Sequence, residues 1–164
     1  MVLKLYVFLQ NQRIFVSNMI KIQDKIYFSD NRNDMDLQLI FNVLKNSYWA
    51  SSRTFEEQKL AIENTLCFGL FKNNKQIAFA RVMTDKVFFA YLLDVFVVEE
   101  EQGKGYSKLL IDKILNYTVL KNVDKWILAT KDAHSLYKKF GFGEVKKPEM
   151  LMEKLSDRAK SIYE

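Results

Sequence analysis

A single cysteine, Cys67, a single histidine, His134, and a single proline, Pro148, stand in a chain of 164 residues. One cysteine excludes an intramolecular disulfide framework. The chain therefore lacks the staples of a small secreted domain, and a reducing cytoplasmic setting is the expectation. One histidine, with no carboxylate spacing of the kind that holds calcium, gives no metal site to expect. Five glycines and one proline leave no low-complexity linker, and there is no internal repeat. One domain is expected over residues 1–164, with residues 1–20 able to stand as a peripheral extension and Met19 as a second start. No window approaches the ~20 apolar residues of a spanning helix. The apolar stretch Met1 to Phe8 lacks the longer core and small-residue cleavage site of a signal peptide. No membrane partner is expected.

Hydrophobic residues make up 49% of the chain and charged residues 27%, a globular balance. The formal net charge is +5, with a pI near 9.1. The lysines are spread along the chain. Such an excess steers anionic small molecules but forms no basic stripe, so nucleic acid is not an expected partner.

Periodicity supplies the elements. Residues 22–29, with Ile26, Tyr27 and Phe28, read as a strand. Leu37, Ile40, Phe41 and Leu44 fall at i, i+3, i+4 and i+7, one face of a helix. Thr54 and Glu57 have capping-box spacing and predict a second helix over 55–64. Residues 66–71 and 76–83, joined at Asn73-Asn74, read as a hairpin. The run 87–98 is almost continuously apolar, as in a strand buried on both faces. Residues 109–115 read as a helix and 125–129 as a strand. Asp132 can cap a helix carrying Leu136, Tyr137 and Phe140, which Gly141 ends. Residues 142–145 and 150–152 complete the set as late strands. The order β-α-α-β-β-β-α-β-α-β-β implies an α/β (α+β) fold. Its mixed, mostly antiparallel central sheet should hold about six to seven strands, flanked by about four helices.

The most informative segment joins the buried strand Asp94-Val95-Phe96-Val97-Val98, through three glutamates, to Gln102-Gly103-Lys104-Gly105-Tyr106-Ser107. A strand entering a glycine turn that opens a helix leaves backbone N–H groups unpaired at the helix start. They face outward at the positive end of the helix dipole, where a pyrophosphate fits. Glycines at 103 and 105 allow close approach to the backbone, and Lys104 and Lys108 add charge. The turn is not the G-x-G-x-x-G dinucleotide fingerprint, because position 108 is lysine, and it is not a P-loop. By itself it reads as an ordinary strand–helix turn.

Residues 102–107 resemble the acyl-CoA-binding signature of the GNAT N-acetyltransferase superfamily, Q/R-x-x-G-x-G/A. Gln102 and Gly105 match, while Ser107 stands where glycine or alanine is usual. The apolar strand Val95-Phe96-Val97 precedes it as in that family. Ala133, Leu136-Tyr137 and Gly141-Phe142 resemble the family's A-x-x-L-Y-x-x-x-G-F helix, with Thr130 in place of a frequent asparagine. Residues 47–50 and 79–82 are similar to a bacterial subgroup of unknown acceptor.

That resemblance implies an acetyl-CoA-dependent N-acetyltransferase. Acetyl-CoA would lie against Val95, Phe96 and Val97, with its pyrophosphate over Gln102, Gly103, Lys104, Gly105, Tyr106, Ser107 and Lys108. A primary amine of a small molecule or peptide would attack the thioester directly. A strand N–H near Val97 would polarise the carbonyl, and alignment of the reactants would supply much of the rest. Tyr137 matches the family's general acid, although Leu136, Tyr137 and Phe140 also read as core. Asp94, inside an apolar strand, would have its pKa raised by burial. It is a candidate base and equally a buried acceptor of hydrogen bonds. Tyr48 and Trp49 are candidates for an acceptor pocket. Arg53, Arg81 and Asp85 could orient an acceptor or form salt bridges. His134 reads as a surface residue and Cys67 as core. A non-catalytic acyl-CoA sensor is a second reading and a nucleic-acid binder a third. A homodimer is compatible with the sequence, which identifies no interface.

Overall fold

A computed structural model describes residues 20–23 and 25–163. The expectations for residues 1–19 lie outside the described residues. The elements are β1 (Ile20–Gln23), β2 (Ile26–Ser29), α1 (Leu37–Lys45), α2 (Phe55–Glu63), β3 (Leu66–Lys72), β4 (Lys75–Thr84), β5 (Phe89–Val97), α3 (Tyr106–Leu115), β6 (Lys125–Ile127), α4 (His134–Lys138) and α5 (Asp157–Tyr163). The six strands form one sheet in chain order, β1 to β6. The first five are antiparallel, and β6 joins β5 in parallel after the α3 crossover. The α/β class, the mixed sheet and the strand number agree with the sequence reading.

Each face of the sheet carries its own core. On one face Phe28, Phe68, Leu70, Ala80 and Leu92 pack against Leu110, Ile111 and Ile114 of α3 and Tyr137 of α4. On the other, Cys67, Phe71, Phe79 and Phe96 pack against Ile40 and Leu44 of α1 and Ile62 of α2. The helix starts are secured as their sequences dictate. The Asp36 carboxylate accepts from the Leu39 N–H at 2.9 Å. Thr54 and Glu57 form the full reciprocal capping box, which satisfies two otherwise orphaned amides.

Four expectations are corrected. The strand read over 22–29 is a hairpin of β1 and β2, because Lys25 takes a left-handed backbone (φ +60) and reverses the chain. The run 87–98 is not buried on both faces throughout. Val87 and Phe88 are exposed, and β5 alternates between buried and half-buried positions. The late strands at 142–145 and 150–152 are absent. Phe142 instead packs edge-on against the Tyr137 ring, with its N–H donating to the Tyr137 carbonyl, so the segment closes α4. Pro148 opens a short 3-10 turn over Pro148–Met150. The helix α5 had no forerunner in the sequence reading. Asp132 does not cap α4 either. Ala133 is the N-cap, and the Thr130 hydroxyl accepts its N–H at 3.0 Å.

Candidate functional site

β5 and β6 pair only over Phe89–Lys125, Ala90–Trp126 and Tyr91–Ile127. Beyond Tyr91, β5 keeps β4 on one edge while its other edge has no strand partner among the described residues. A cleft of about 560 Å³ opens there. Its floor is Val95, Phe96 and Val97, and the turn residues Gln102, Gly103, Gly105, Tyr106, Ser107 and Lys108 line one end. Trp49, Asp132, Ala133, Leu136 and Tyr137 line the remainder.

The turn has the geometry that an anion requires. Gly103 and Gly105 are left-handed (φ +75 and +88), a region costly to side chains. A Cβ placed on either would meet nothing within 4 Å, so the space over the turn is open. Gly105 is the N-cap of α3 and supplies no capping side chain. The first intrahelical bond runs from Leu109 N–H to Gly105 carbonyl, leaving the amides of Tyr106, Ser107 and Lys108 aimed outward at the positive end of a ten-residue helix. The nearby acid is neutralised: Lys72 and Lys104 both bond the Glu101 carboxylate, at 2.8 Å and 3.0 Å, and hold its pKa below the ordinary value. The Gln102 amide closes the strand end by donating to the Val97 carbonyl at 3.0 Å. These donors and this open space fit a pyrophosphate.

Not every expected site residue reaches the cleft. Lys104 turns back to Glu101 and to the Glu100 carbonyl. Tyr48 lies beside the cleft, half exposed, edge-on to Trp49 and with the Lys131 ammonium 5.6 Å from its ring centre. Arg81 is buried on β4, opposite Leu93 of β5. Its Nε donates to Asp94 at 2.5 Å, and Arg53 Nη1 donates to the same oxygen at 2.8 Å. Asp85 caps the β4–β5 turn, accepting from the amides of Val87, Phe88 and Phe89. Cys67 is buried, and burial pushes its thiol pKa up. His134 is exposed. The cleft also gains Asp132, Ala133 and Leu136. Ala133, Leu136 and Tyr137 are spaced i, i+3 and i+4, so one helical face carries them together.

The electrostatics of two candidates differ from a sequence reading. Burial pushes the Asp94 carboxyl up, but the Arg81 and Arg53 guanidiniums outweigh it and hold the group below the ordinary aspartate value. The expected rise does not occur, and Asp94 is the counter-ion of two arginines. A depressed pKa contributes stability above the unfolded value near ~3.9 and loses it as pH falls through the folded value. Asp94→Asn is therefore expected to cost about 3 kcal/mol at neutral pH, where it strands two guanidiniums. The gap from wild type should close below about pH 4. Denaturant melts at stepped pH measure this, and a gap constant down to pH 3 would contradict the pairing. Tyr137, by contrast, is pushed up to about 12 by burial, with the Asp132 and Tyr48 charges adding to the effect. Its hydroxyl has no hydrogen-bond partner among the described residues.

The Acetyltransferase (GNAT) family pattern matches residues 33–142, well over half of the chain. The chain belongs to this family of acetyltransferases. The uncharacterised N-acetyltransferase ycf52 of Pyropia yezoensis is 30% identical over 129 residues, covering 74% of this chain and 73% of that protein. A crystal structure from Xanthomonas campestris pv. campestris, assigned to the GNAT acetyltransferases, is 39% identical with a TM-score of 0.77. It covers 80% of this chain and 93% of that one. A predicted acetyltransferase of Clostridium acetobutylicum, solved with acetyl-CoA, shares the fold at 17% identity and TM-score 0.58, over 79% of this chain and 96% of that one. Within this GNAT chain, no described helix is long and apolar enough to cross a membrane.

Proposed function

We propose that this GNAT acetyltransferase moves the acetyl group of acetyl-CoA to a primary amine of a small molecule or peptide. The observation that carries the reading is the junction of a one-sided strand edge with an uncapped, glycine-opened helix start in a single cleft. Bound acetyl-CoA would bring an activated thioester, from which the amine takes the acetyl group as a C–N bond forms and the C–S bond breaks. The amides of Tyr106, Ser107 and Lys108 hold the pyrophosphate, with the Lys108 ammonium adding charge. The cleft-facing backbone N–H groups of Val95 and Val97 donate to the carbonyl oxygen, a fixed dipole that needs no reorganisation. The amine loses its proton to water, since the cleft is open and Asp94 is held ionised by two arginines.

Tyr137 holds the proton on the sulfur side. A phenol at about 12 is a weaker acid than a thiol near ~8.5. The hydroxyl therefore donates a hydrogen bond to the departing sulfur and keeps most of its proton. Trp49 and Asp132 form the wall from which the acceptor approaches, and Tyr48 backs Trp49 from beside the cleft.

Titration calorimetry with acetyl-CoA, followed by assay of free thiol against a panel of primary amines, tests this. Saturable binding with amine-dependent thiol release is the expected result. Binding without release under any amine would favour a sensor of acyl-CoA, and a folded sample with no binding would defeat the cofactor assignment.

A further inference from the structure

The β4–β5 register breaks once. Phe79 faces Phe96 and Arg81 faces Leu93, so two steps along β4 match three along β5. The extra residue falls at Asp94, whose φ of +52 makes it the one left-handed residue inside a strand among the described residues. Left-handed backbone costs a residue other than glycine about 1–2 kcal/mol, with aspartate among the more tolerant. The consequence can be read in the side chains. Ala90 and Leu92 belong to the core under α3, whereas Phe96 belongs to the core under α1 and α2. Successive N–H groups of a strand also point to alternate edges, so one inserted residue reverses which amides face β4 and which face the cleft.

Something must hold a non-glycine residue in that conformation. The Asp94 side chain is 1% exposed, and its Oδ2 accepts from Arg81 on β4 and from Arg53 in the α1–α2 connection. The two arginines approach from the neighbouring strand and from the loop that carries Trp49. Gln58 binds the same Arg53 nitrogen at 3.0 Å.

Resting on the acetyl-CoA reading above, we propose that Asp94, clamped between Arg81 and Arg53, is a positioning residue. It fixes the β5 bulge, and the bulge aims the Val95 and Val97 amides, which alternate with the β4-facing amides of Phe96 and Val98, at the thioester carbonyl. Asp94 touches neither reactant. Its effect travels through the backbone, and the pyrophosphate turn, which belongs to α3, does not depend on it.

Infrared difference spectra of bound acetyl-CoA, labelled with carbon-13 at the carbonyl, test the proposal without an acceptor. In wild type the carbonyl stretch should shift to lower frequency on binding, as donated hydrogen bonds polarise it. Asp94→Asn should lose that shift while keeping its affinity for CoA, which has no acetyl group. Arg53→Met should lose part of it, and this variant also covers the case in which Asp94→Asn fails to fold, because Arg53 lies at the edge of the cluster and leaves the Arg81 pair in place. A purely stabilising role would lower the melting temperature of both variants and leave the band where it was. An unmoved band in the folded variants, or an unshifted band in wild type that binds acetyl-CoA, overturns the proposal and leaves the cofactor assignment standing. Wild type that binds no acetyl-CoA overturns both.

Discussion

Gly105→Val is expected to raise the dissociation constant for acetyl-CoA by at least about 100-fold, nearly 3 kcal/mol at 1.4 kcal/mol per tenfold. Gly105 is the N-cap of α3 at φ +88. Two effects act together there. A β-branched residue is strained in left-handed backbone, by roughly 1–2 kcal/mol, and relieves the strain by turning the first-turn amides away. Its methyl groups also fill the open space above those amides, in which nothing lies within 4 Å of a built Cβ. Because that space is open, the substitution meets no neighbouring residue, and the melting temperature should fall only by the backbone strain, about 2–8 °C. Gly105→Ala adds the strain with less bulk and should fall between. Calorimetric titration of the three proteins measures the series. Equal affinities would return the glycine turn to a purely structural role.

Tyr137→Phe should lower amine-dependent thiol release about 100-fold, the lower end for a preorganised hydrogen-bond donor to developing charge, with the acetyl-CoA dissociation constant unchanged. The ring is 92% buried and packs on Phe142, and phenylalanine preserves that packing. Only the hydroxyl is lost, so the deficit should appear in kcat and not in binding. The pH profile adds a second check. With its pKa pushed up to about 12, Tyr137 stays protonated throughout the usable range. The wild-type rate should therefore rise with pH as the acceptor amine, near ~10.4 if lysine-like, loses its proton. Tyr137 gives no fall on the alkaline side below about 12. The variant should run parallel to wild type at a lower level. Equal turnover at every pH would remove the hydroxyl from the reaction.

Local patterns carried much of the architecture in readable form. The i, i+3, i+4, i+7 stripe of α1 and the Thr54–Glu57 box of α2 depend on neighbours within four residues, and so does the strand–glycine–helix passage from β5 to α3. Short-range physics decides such features, and the residues that decide them are adjacent in the chain. The family resemblance drew on the same local segments, 102–107 and 133–142. The misreadings came where a short apolar run could serve two purposes. Residues 142–145 have the composition of a strand, but Phe142 finds its partner in the ring of Tyr137 and the segment turns instead.

Asp94 marks the boundary most clearly. Its sequence context, an acid within an apolar strand, determined that it would be buried, and burial alone raises a carboxyl pKa. That Arg53 lies 41 positions away and still reaches the same oxygen as Arg81 is a matter of how α2, β4 and β5 pack. No pattern along the chain encodes that meeting. The sequence by itself determined α1 to α3, the β3–β4 hairpin, the α/β class, the glycine turn and its free amides, because each follows from backbone geometry over a few residues. Only the tertiary structure decided the sign of the Asp94 shift, the opening between β5 and β6, and the convergence of Trp49, Asp132 and Tyr137 on one cleft. Those depend on Coulomb interactions and contacts between segments that are distant in the chain, where the energy is set by position in space and not by order in sequence.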